Sequence, residues 1–167
     1  MSDPNKFMDT YRIATTRVDW STYGGGVYFI TFCTDQGHHY LGEIRDNKMY
    51  FTNIGEYTQK IINETPIHYQ YCEIPFYVVM PNHVHLYLYI NREHPTYPPD
   101  GDRNPLVAYI VGSIKSAVTR YANHHQIPFK WQSRFHDHII RDYPESEKIR
   151  NYILSNVEHW LDDCYHR

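Results

Sequence analysis

The segment from Met80 to Ile90 alternates strictly between aliphatic and polar or aromatic side chains after a Pro-Asn turn, and this pattern predicts a β-strand. Successive side chains of a strand point to opposite sides of its sheet, so His83, His85, Tyr87 and Tyr89 would share one face. Two imidazoles at alternate positions can direct their ring nitrogens at one point, and neutral imidazole is a common metal ligand. The strand therefore indicates a metal site, and two half-buried, hydrogen-bonded histidines are the structural alternative.

A His-x-His pair is weak support by itself, because 12 histidines in 167 residues produce about one such pair by chance. A second pair, His136 and His138, encloses a charged residue and has no alternating apolar partners. We therefore expect the first pair, and not the second, to bind the metal.

Composition favours a single domain over residues 1–167, with a core at about 25–164 and a flexible N-terminal tail, because 41% hydrophobic content suffices for one core. The three cysteines are far apart and form no Cys-x-x-Cys motif, which argues against a disulfide framework or a zinc finger and fits a reducing cytosol. The sequence contains no signal-like segment and no apolar run of membrane-spanning length, so no membrane partner is expected.

A net charge of -3 argues against binding nucleic acid through overall charge, but basic residues are concentrated locally. Residues 103–141 contain six basic side chains and a single acid, Asp137. A basic stretch of this kind could bind phosphates, and a solvated helix face is the alternative interpretation. The candidate DNA contacts here are Lys115, Arg120, Arg134 and Arg141.

The remaining patterns predict an α+β domain. Strands are expected at residues 27–33, 39–44, 48–54, 67–79 with an interruption at Pro75, and 138–140. Helices are expected at residues 56–63, from an Asn104 cap with Pro105 as first helical residue, and from Pro144 to about Cys164. On the last helix, Tyr152 and Asn156 lie one turn apart beside the apolar stripe, where a lone tyrosine is usually a packing residue.

Three segments, in this order, resemble motifs of the one-tyrosine HUH transposases, in which two histidines enclose an apolar residue. They are Tyr77 to Leu86, with Val84 as the apolar residue, Trp131 to Arg141, and Tyr152 to Asn156. The resemblance is specifically to the REP-associated tyrosine transposase branch, related to the insertion-sequence single-strand DNA transposases. It covers about residues 25 to 160, and three ordered motifs are more specific than any one of them.

The resemblance implies a ferredoxin-like antiparallel sheet with helices packed against it, the histidines on a central strand and the catalytic tyrosine on the C-terminal helix. It implies His83, His85 and Asn156 as ligands of Mg2+ or Mn2+, and Tyr152 as nucleophile. Lys148, one turn before Tyr152, is a further candidate phosphate contact, with a solvated lysine as the alternative. Many relatives have Asn-Pro where this chain has Asn156-Val157, so its last helix is expected to continue to Cys164.

The implied activity is that of a metal-dependent single-stranded DNA endonuclease and strand transferase, acting through a covalent 5′-phosphotyrosine on hairpin-containing DNA such as a repetitive palindromic element. The resemblance further implies a cytoplasmic, nucleoid-associated prokaryotic protein, present as a monomer or homodimer. The alternative is a domesticated relative that binds nucleic-acid hairpins without cutting them. A two-histidine phosphoesterase would need two His-x-Ser/Thr motifs, and only His94-Pro95-Thr96 fits.

Overall fold

The computed structural model describes residues 25–101 and 105–166, together with the backbone pairing of β1 (Lys6–Phe7) with β2 (Tyr11–Arg12). Apart from β1 and β2, the expected tail lies outside the described residues, as do Arg103 and the Asn104 cap. The further elements, in chain order, are β3 (Gly26–Cys33), β4 (Gly42–Arg45), β5 (Lys48–Phe51), α1 (Asn53–His68), β6 (Cys72–Val79), β7 (His83–Ile90), α2 (Leu106–His124), β8 (His136–Ile139) and α3 (Tyr143–Ser155).

Four strands form the main sheet in the order β6-β7-β3-β8, and every neighbouring pair is antiparallel. Apart from the β4–β5 hairpin, the chain order β3-α1-β6-β7-α2-β8 is the βαββαβ arrangement of ferredoxin-like folds. The predicted α+β, ferredoxin-like fold is therefore confirmed. The strand with His83 and His85 is an inner strand, and Tyr152 lies on α3, the last α-helix described.

Both faces of β7 are covered, because each of its two alternating residue sets has a helix packed over it. The aliphatic set packs with α1 and α2 in one core cluster, which includes Val84, Leu86, Leu88, Ile90, Ile62, Ile110, Ile114 and Val118. The other face packs Tyr87 and Tyr89 against Ile153 of α3. As a result every residue of β7 is buried. Within the described ranges, no helix is both long enough and apolar enough to cross a bilayer.

Helix α1 is longer than the predicted 56–63 at both ends. It begins earlier because the Thr52 side chain accepts a hydrogen bond from the Gly55 amide at 3.2 Å and caps it. It ends later because Thr58 and Thr65 lie buried along its inner side, where each hydroxyl donates to a carbonyl four residues earlier. These threonines extend a buried stripe that hydrophobicity alone does not reveal.

The strand predicted at 67–79 is wrong at its start, because α1 continues to His68 and β6 begins only at Cys72. The interruption expected at Pro75 is a register shift between Glu73 and Phe76, typical of a β-bulge beside a residue that has no amide hydrogen. The predicted antiparallel pairing of this strand with the histidine strand is confirmed.

Three further boundaries differ from the sequence predictions. The strands expected at 39–44 and 48–54 form the shorter hairpin β4–β5, whose turn places Asp46 and Asn47 at φ of 51° and 57°. Strand β8 starts two residues before the predicted 138–140, because His136 already pairs with Thr31 of β3. Pro105 is the N-cap of α2 and not its first helical residue.

The prediction that the last helix continues to Cys164 is wrong, because α3 ends at Ser155. Serine and asparagine are weak helix formers whose side chains compete for backbone groups. Here the Ser155 hydroxyl donates to the Asn151 carbonyl at 2.8 Å, and the His159 ring donates to the Ser155 carbonyl at 2.9 Å. The chain then turns into a short 3-10 segment, Trp160–Asp162, and folds back over the histidine end of β7.

Candidate active site

His83 and His85 lie on the face of β7 that α3 covers, and their side chains are 0% and 1% exposed. Their ring centroids are 4.6 Å apart. The predicted common face is therefore observed. Neither ring is the half-buried histidine of the structural alternative, and a buried neutral imidazole requires a partner for its N–H and another for the lone pair of its second nitrogen.

The orientation of the His83 ring is fixed by Asn82. Asn82 donates its amide to the Tyr165 carbonyl at 2.8 Å and to the Gly37 carbonyl at 3.3 Å, which leaves its side-chain oxygen to accept from His83 Nδ1 at 2.8 Å. Nδ1 therefore carries the hydrogen, and Nε2 keeps its lone pair. His83 Nε2 is buried and has no hydrogen-bond partner among the described residues, as expected of a ligand nitrogen.

The two histidines are neutral at physiological pH. Burial lowers the pKa of His83 to about 4, against the opposing effects of the nearby Asp163 charge and of the Asn156 side chain. Burial, and then the neighbouring His83, lower the pKa of His85 well below its ordinary value. Neutral rings have lone pairs available for a metal, whereas protonated rings do not.

His85 is held by contacts on both sides of its ring. Its Nδ1 lies 2.7 Å from Thr31 Oγ1, on the neighbouring strand β3, and its ring stacks on Phe29 with centroids 5.1 Å apart. Its Nε2 lies 3.4 Å from the phenolic oxygen of Tyr152 on α3. If Nδ1 donates to Thr31, Nε2 faces Tyr152 with a free lone pair.

Tyr152 reaches the histidines from α3 while 41% of its side chain stays exposed. Its ring meets Phe29 edge-on at 6.0 Å and His85 at 5.2 Å. Its pKa is raised chiefly by burial, with contributions from Asp163 and Cys164, whereas Asn156 acts in the opposite direction. At neutral pH the phenol is therefore protonated, and its ionisation requires a positive charge nearby.

Two further oxygen atoms are candidate metal ligands, since the side chains of Asn156 and Asp163 both affect the pKa of His83. The Asn156 side chain is 2% exposed, and its Oδ1 has no hydrogen-bond partner among the described residues. The same holds for Asp163 Oδ2, which lies 3.8 Å from His83 Nε2. Since His83 is neutral, this contact is not an ion pair. Buried polar atoms without partners are rare, and three of them around one point fit a bound cation.

The residues His83, His85 and Asp163 could hold a metal ion, because one ligand atom from each lies within 4.8 Å of the other two. Asn156, the third ligand implied by the resemblance, affects the pKa of both His83 and Tyr152 and so lies beside them. The sequence analysis missed Asp163. Asp163 lies eleven residues beyond Tyr152 and outside the three motifs. On the predicted long helix, its carboxylate would have been placed away from the histidines.

The segment after α3 packs against the His83 ring. Trp160 stacks on His83 with ring centroids 6.1 Å apart, and Tyr165 lies 4.5 Å from the same ring. The backbone amide of Tyr165 donates to Asp163 Oδ1 at 2.8 Å, which leaves Oδ2 directed at His83. Burial and nearby acidic groups raise the pKa of Tyr165 to about 12, so it remains a neutral phenol.

The predicted DNA contacts do not form one surface. Lys115 and Arg120 lie on α2, which packs on the sheet face opposite to Tyr152, and the Lys115 amine donates to the Gln132 carbonyl at 2.6 Å. Lys148 lies on α3, and Arg134 and Arg141 lie on either side of β8; all three are exposed. Their role in binding phosphate stays a prediction.

The second histidine pair lies apart from the first. His136 and His138 are exposed on the edge strand β8, and His138 Nε2 contacts Glu145 Oε1 at 2.5 Å. The structure brings neither of them into the cluster of His83, His85 and Asp163.

Comparison with known proteins adds a likeness in fold. No family model matches the chain. An uncharacterized protein from Haemophilus influenzae is 28% identical over 150 residues, which cover 83% of each protein. The structure of a REP-associated tyrosine transposase bound to a REP hairpin superposes with a TM-score of 0.58 and 21% identity, covering 87% of this chain and 74% of that one. A transposase candidate from Deinococcus radiodurans is more distant, with a TM-score of 0.49, 17% identity and coverage of 84% and 97%.

Proposed function

We propose that the chain is a one-tyrosine HUH transposase of the REP-associated branch, a metal-dependent endonuclease and strand transferase for single-stranded DNA that contains a hairpin. The observation that carries the proposal is the placement of the Tyr152 hydroxyl 3.4 Å from His85 Nε2, beside buried ligand atoms that have no hydrogen-bond partner among the described residues. The REP-associated transposase with the same fold was solved bound to a REP hairpin, which supports hairpin DNA as the substrate.

The residues of the site fit a divalent cation. His83 Nε2, His85 Nε2, Asp163 Oδ2 and Asn156 Oδ1 would hold it, and the two oxygen atoms are ligands that suit Mn2+ or Mg2+. When bound, the ion supplies positive charge that polarises the scissile phosphate and lowers the pKa of the attacking phenol. Asn82 and Thr31 hold the two rings from behind, so each ligand nitrogen is oriented before substrate arrives.

Tyr152 is the proposed nucleophile. Its phenolic oxygen forms a bond to the scissile phosphorus, the bond from phosphorus to the 3′-oxygen breaks, the phenol proton passes to solvent, and the departing 3′-oxygen takes up a proton. The products are a 5′-phosphotyrosine and a strand with a free 3′-hydroxyl. Phe29 packs against both the Tyr152 and His85 rings and limits their relative movement. A 3′-hydroxyl from another strand can reverse the step, so strand transfer requires no nucleotide triphosphate.

A covalent-capture experiment tests the proposal. Hairpin oligonucleotides labelled at the 3′ end are incubated with the protein and Mn2+, separated under denaturing conditions, and the adduct is mapped by peptide mass spectrometry. We expect a labelled adduct at Tyr152 that EDTA prevents, and an unlabelled fragment released with a 3′-hydroxyl. Retention of hairpin DNA in a native gel without any adduct would support the alternative, a hairpin-binding protein without cleavage activity.

A further inference from the structure

Strand register places His136 on the same face of the sheet as the candidate active site. Thr31 of β3 pairs with His85 on one side and with His136 of β8 on the other, and paired residues of antiparallel strands point to the same face. The hydrogen bond from Thr31 to His85 shows which face this is. His85 and His136 are two strand spacings apart, roughly 10 Å.

No helix of the described residues covers the part of this face that β8 forms. Helix α3 packs against β6 and β7, whereas β8 forms the sheet edge and its His136 and His138 side chains are exposed. Tyr152 lies at the boundary, in contact with Phe29 of β3, the strand between β7 and β8. A DNA strand that lies over the exposed Tyr152 and the half-buried Phe29 would therefore lead toward the exposed His136 of β8.

The two β8 histidines differ in their contacts. His138 is engaged by Glu145, which also accepts a hydrogen bond from the Arg141 amide at 2.9 Å, so this pair ties β8 to the start of α3. The His136 ring has no hydrogen bond, ion pair or ring contact with any residue in the described ranges. Asp137 points to the opposite face, since it pairs with Ile30, and Arg134 precedes His136 on an exposed segment.

We propose that His136 binds a backbone phosphate of the cleaved DNA strand, adjacent to the scissile phosphate, and thereby aligns that strand with Tyr152. The assignment rests on the proposed DNA substrate. An imidazole N–H donates to a phosphate oxygen, and the spacing of about 10 Å from His85 prevents His136 from reaching the phosphate at the metal pocket itself. The segment that carries His136 is held in place from behind, because Lys115 donates to the Gln132 carbonyl and the Gln132 amide donates to the Cys33 carbonyl.

A linkage scan tests this contact directly. Hairpin oligonucleotides, each with one neutral methylphosphonate linkage, are bound to the non-cutting Tyr152→Phe protein with or without His136→Ala, so that binding is measured without turnover. We expect His136→Ala to weaken binding of the unmodified oligonucleotide about 10-fold. We also expect one linkage beside the cleavage site to weaken binding only when His136 is present. His136→Gln retains an N–H donor and should restore most of the affinity. His124→Ala, an exposed histidine on α2 across the sheet, is the matched control.

The outcomes separate the contact from the reaction. If each methylphosphonate weakens binding by the same factor with and without His136→Ala, the His136 contact is overturned. Adduct formation by the wild type would then still support the proposed function. If the wild type forms no adduct but a single linkage depends on His136, the contact stands and the reaction fails. The contact would also be overturned if no methylphosphonate beside the cleavage site weakened binding to the Tyr152→Phe protein.

Discussion

The phenolic oxygen of Tyr152 lies 3.4 Å from Nε2 of His85, although the two residues are 67 positions apart in the sequence. The contact exists because α3 packs over Tyr87 and Tyr89, the next residues on the same face of β7. Strand β7 therefore carries both the residues that pack against α3 and the histidines of the candidate site. Any change that shifts α3 on the sheet would move Tyr152 away from His85.

Replacement of the phenol should separate binding from chemistry. Tyr152→Phe keeps the ring that packs on Phe29 and His85 and removes only the nucleophilic oxygen. We expect the covalent adduct to disappear, with hairpin affinity changed by less than about 3-fold, since no phosphate contact is removed. Adduct yield and gel-shift affinity are the two measurements.

Tyr143→Phe is the control for this prediction, because Tyr143 is another exposed tyrosine, located at the first position of the same helix. It should form adduct at the wild-type rate. An adduct that persists in Tyr152→Phe and disappears in Tyr143→Phe would show that the assigned nucleophile is wrong.

Loss of either histidine of the first pair should remove the metal. His83→Ala and His85→Ala should each abolish the rise in melting temperature that Mn2+ produces, because stabilisation by a ligand follows its affinity for the folded state. Calorimetric titration gives the affinity independently. His136→Ala and His138→Ala have the same spacing but should bind Mn2+ normally, since neither lies in the cluster. Unchanged Mn2+ binding in His83→Ala would refute the site.

The sequence was sufficient for the parts of the site that depend on local periodicity. Alternation along β7 placed His83 and His85 on one face, and the strand pairing confirms it. The closeness of Tyr152 to that face came from family resemblance, because nothing in the periodicity of α3 distinguishes a nucleophile from a packing tyrosine.

Asp163 could not be predicted, because its position depends on where α3 ends. The end at Ser155 results from side-chain hydrogen bonds that compete with the helix, and from burial of Trp160 against His83. The same limitation applies to α1, where the buried Thr58 and Thr65 take positions that a hydrophobicity pattern assigns to apolar residues. The ends of both helices were predicted wrongly for the same reason: polar side chains form hydrogen bonds to the backbone of their own helix.

Asp163 should contribute directly to metal affinity. Asp163→Asn keeps the size of the side chain and one carbonyl oxygen but removes the negative charge, so Mn2+ affinity should fall by about 10- to 100-fold. Calorimetry measures the change. Asp162→Asn is the matched control, because Asp162 is the adjacent, exposed acid. Equal Mn2+ affinity of Asp163→Asn and wild type would restrict the ligand set to His83, His85 and Asn156.

The basic residues should differ in how they affect hairpin binding. Arg120 and Arg134 are exposed, so each that reaches a phosphate should lower the slope of log affinity against log salt by about 0.9 when replaced by alanine. The Lys115 side chain has a structural partner, since its amine donates to the Gln132 carbonyl at 2.6 Å. Lys115→Ala should therefore also lower the free energy of unfolding, by about 1 kcal/mol.

Affinity across a salt series, together with urea unfolding, distinguishes these roles, and Lys48→Ala in the β4–β5 hairpin serves as control. Because α2 covers the face opposite to Tyr152, an effect of Arg120→Ala on the salt slope would require the DNA hairpin to extend around the sheet edge. If Arg134→Ala changes the slope and Arg120→Ala does not, the DNA is confined to the side of β8 and α3. Unaltered slopes in Lys115→Ala, Arg120→Ala and Arg134→Ala would move the DNA contact to another face, where the exposed tyrosines are the next candidates.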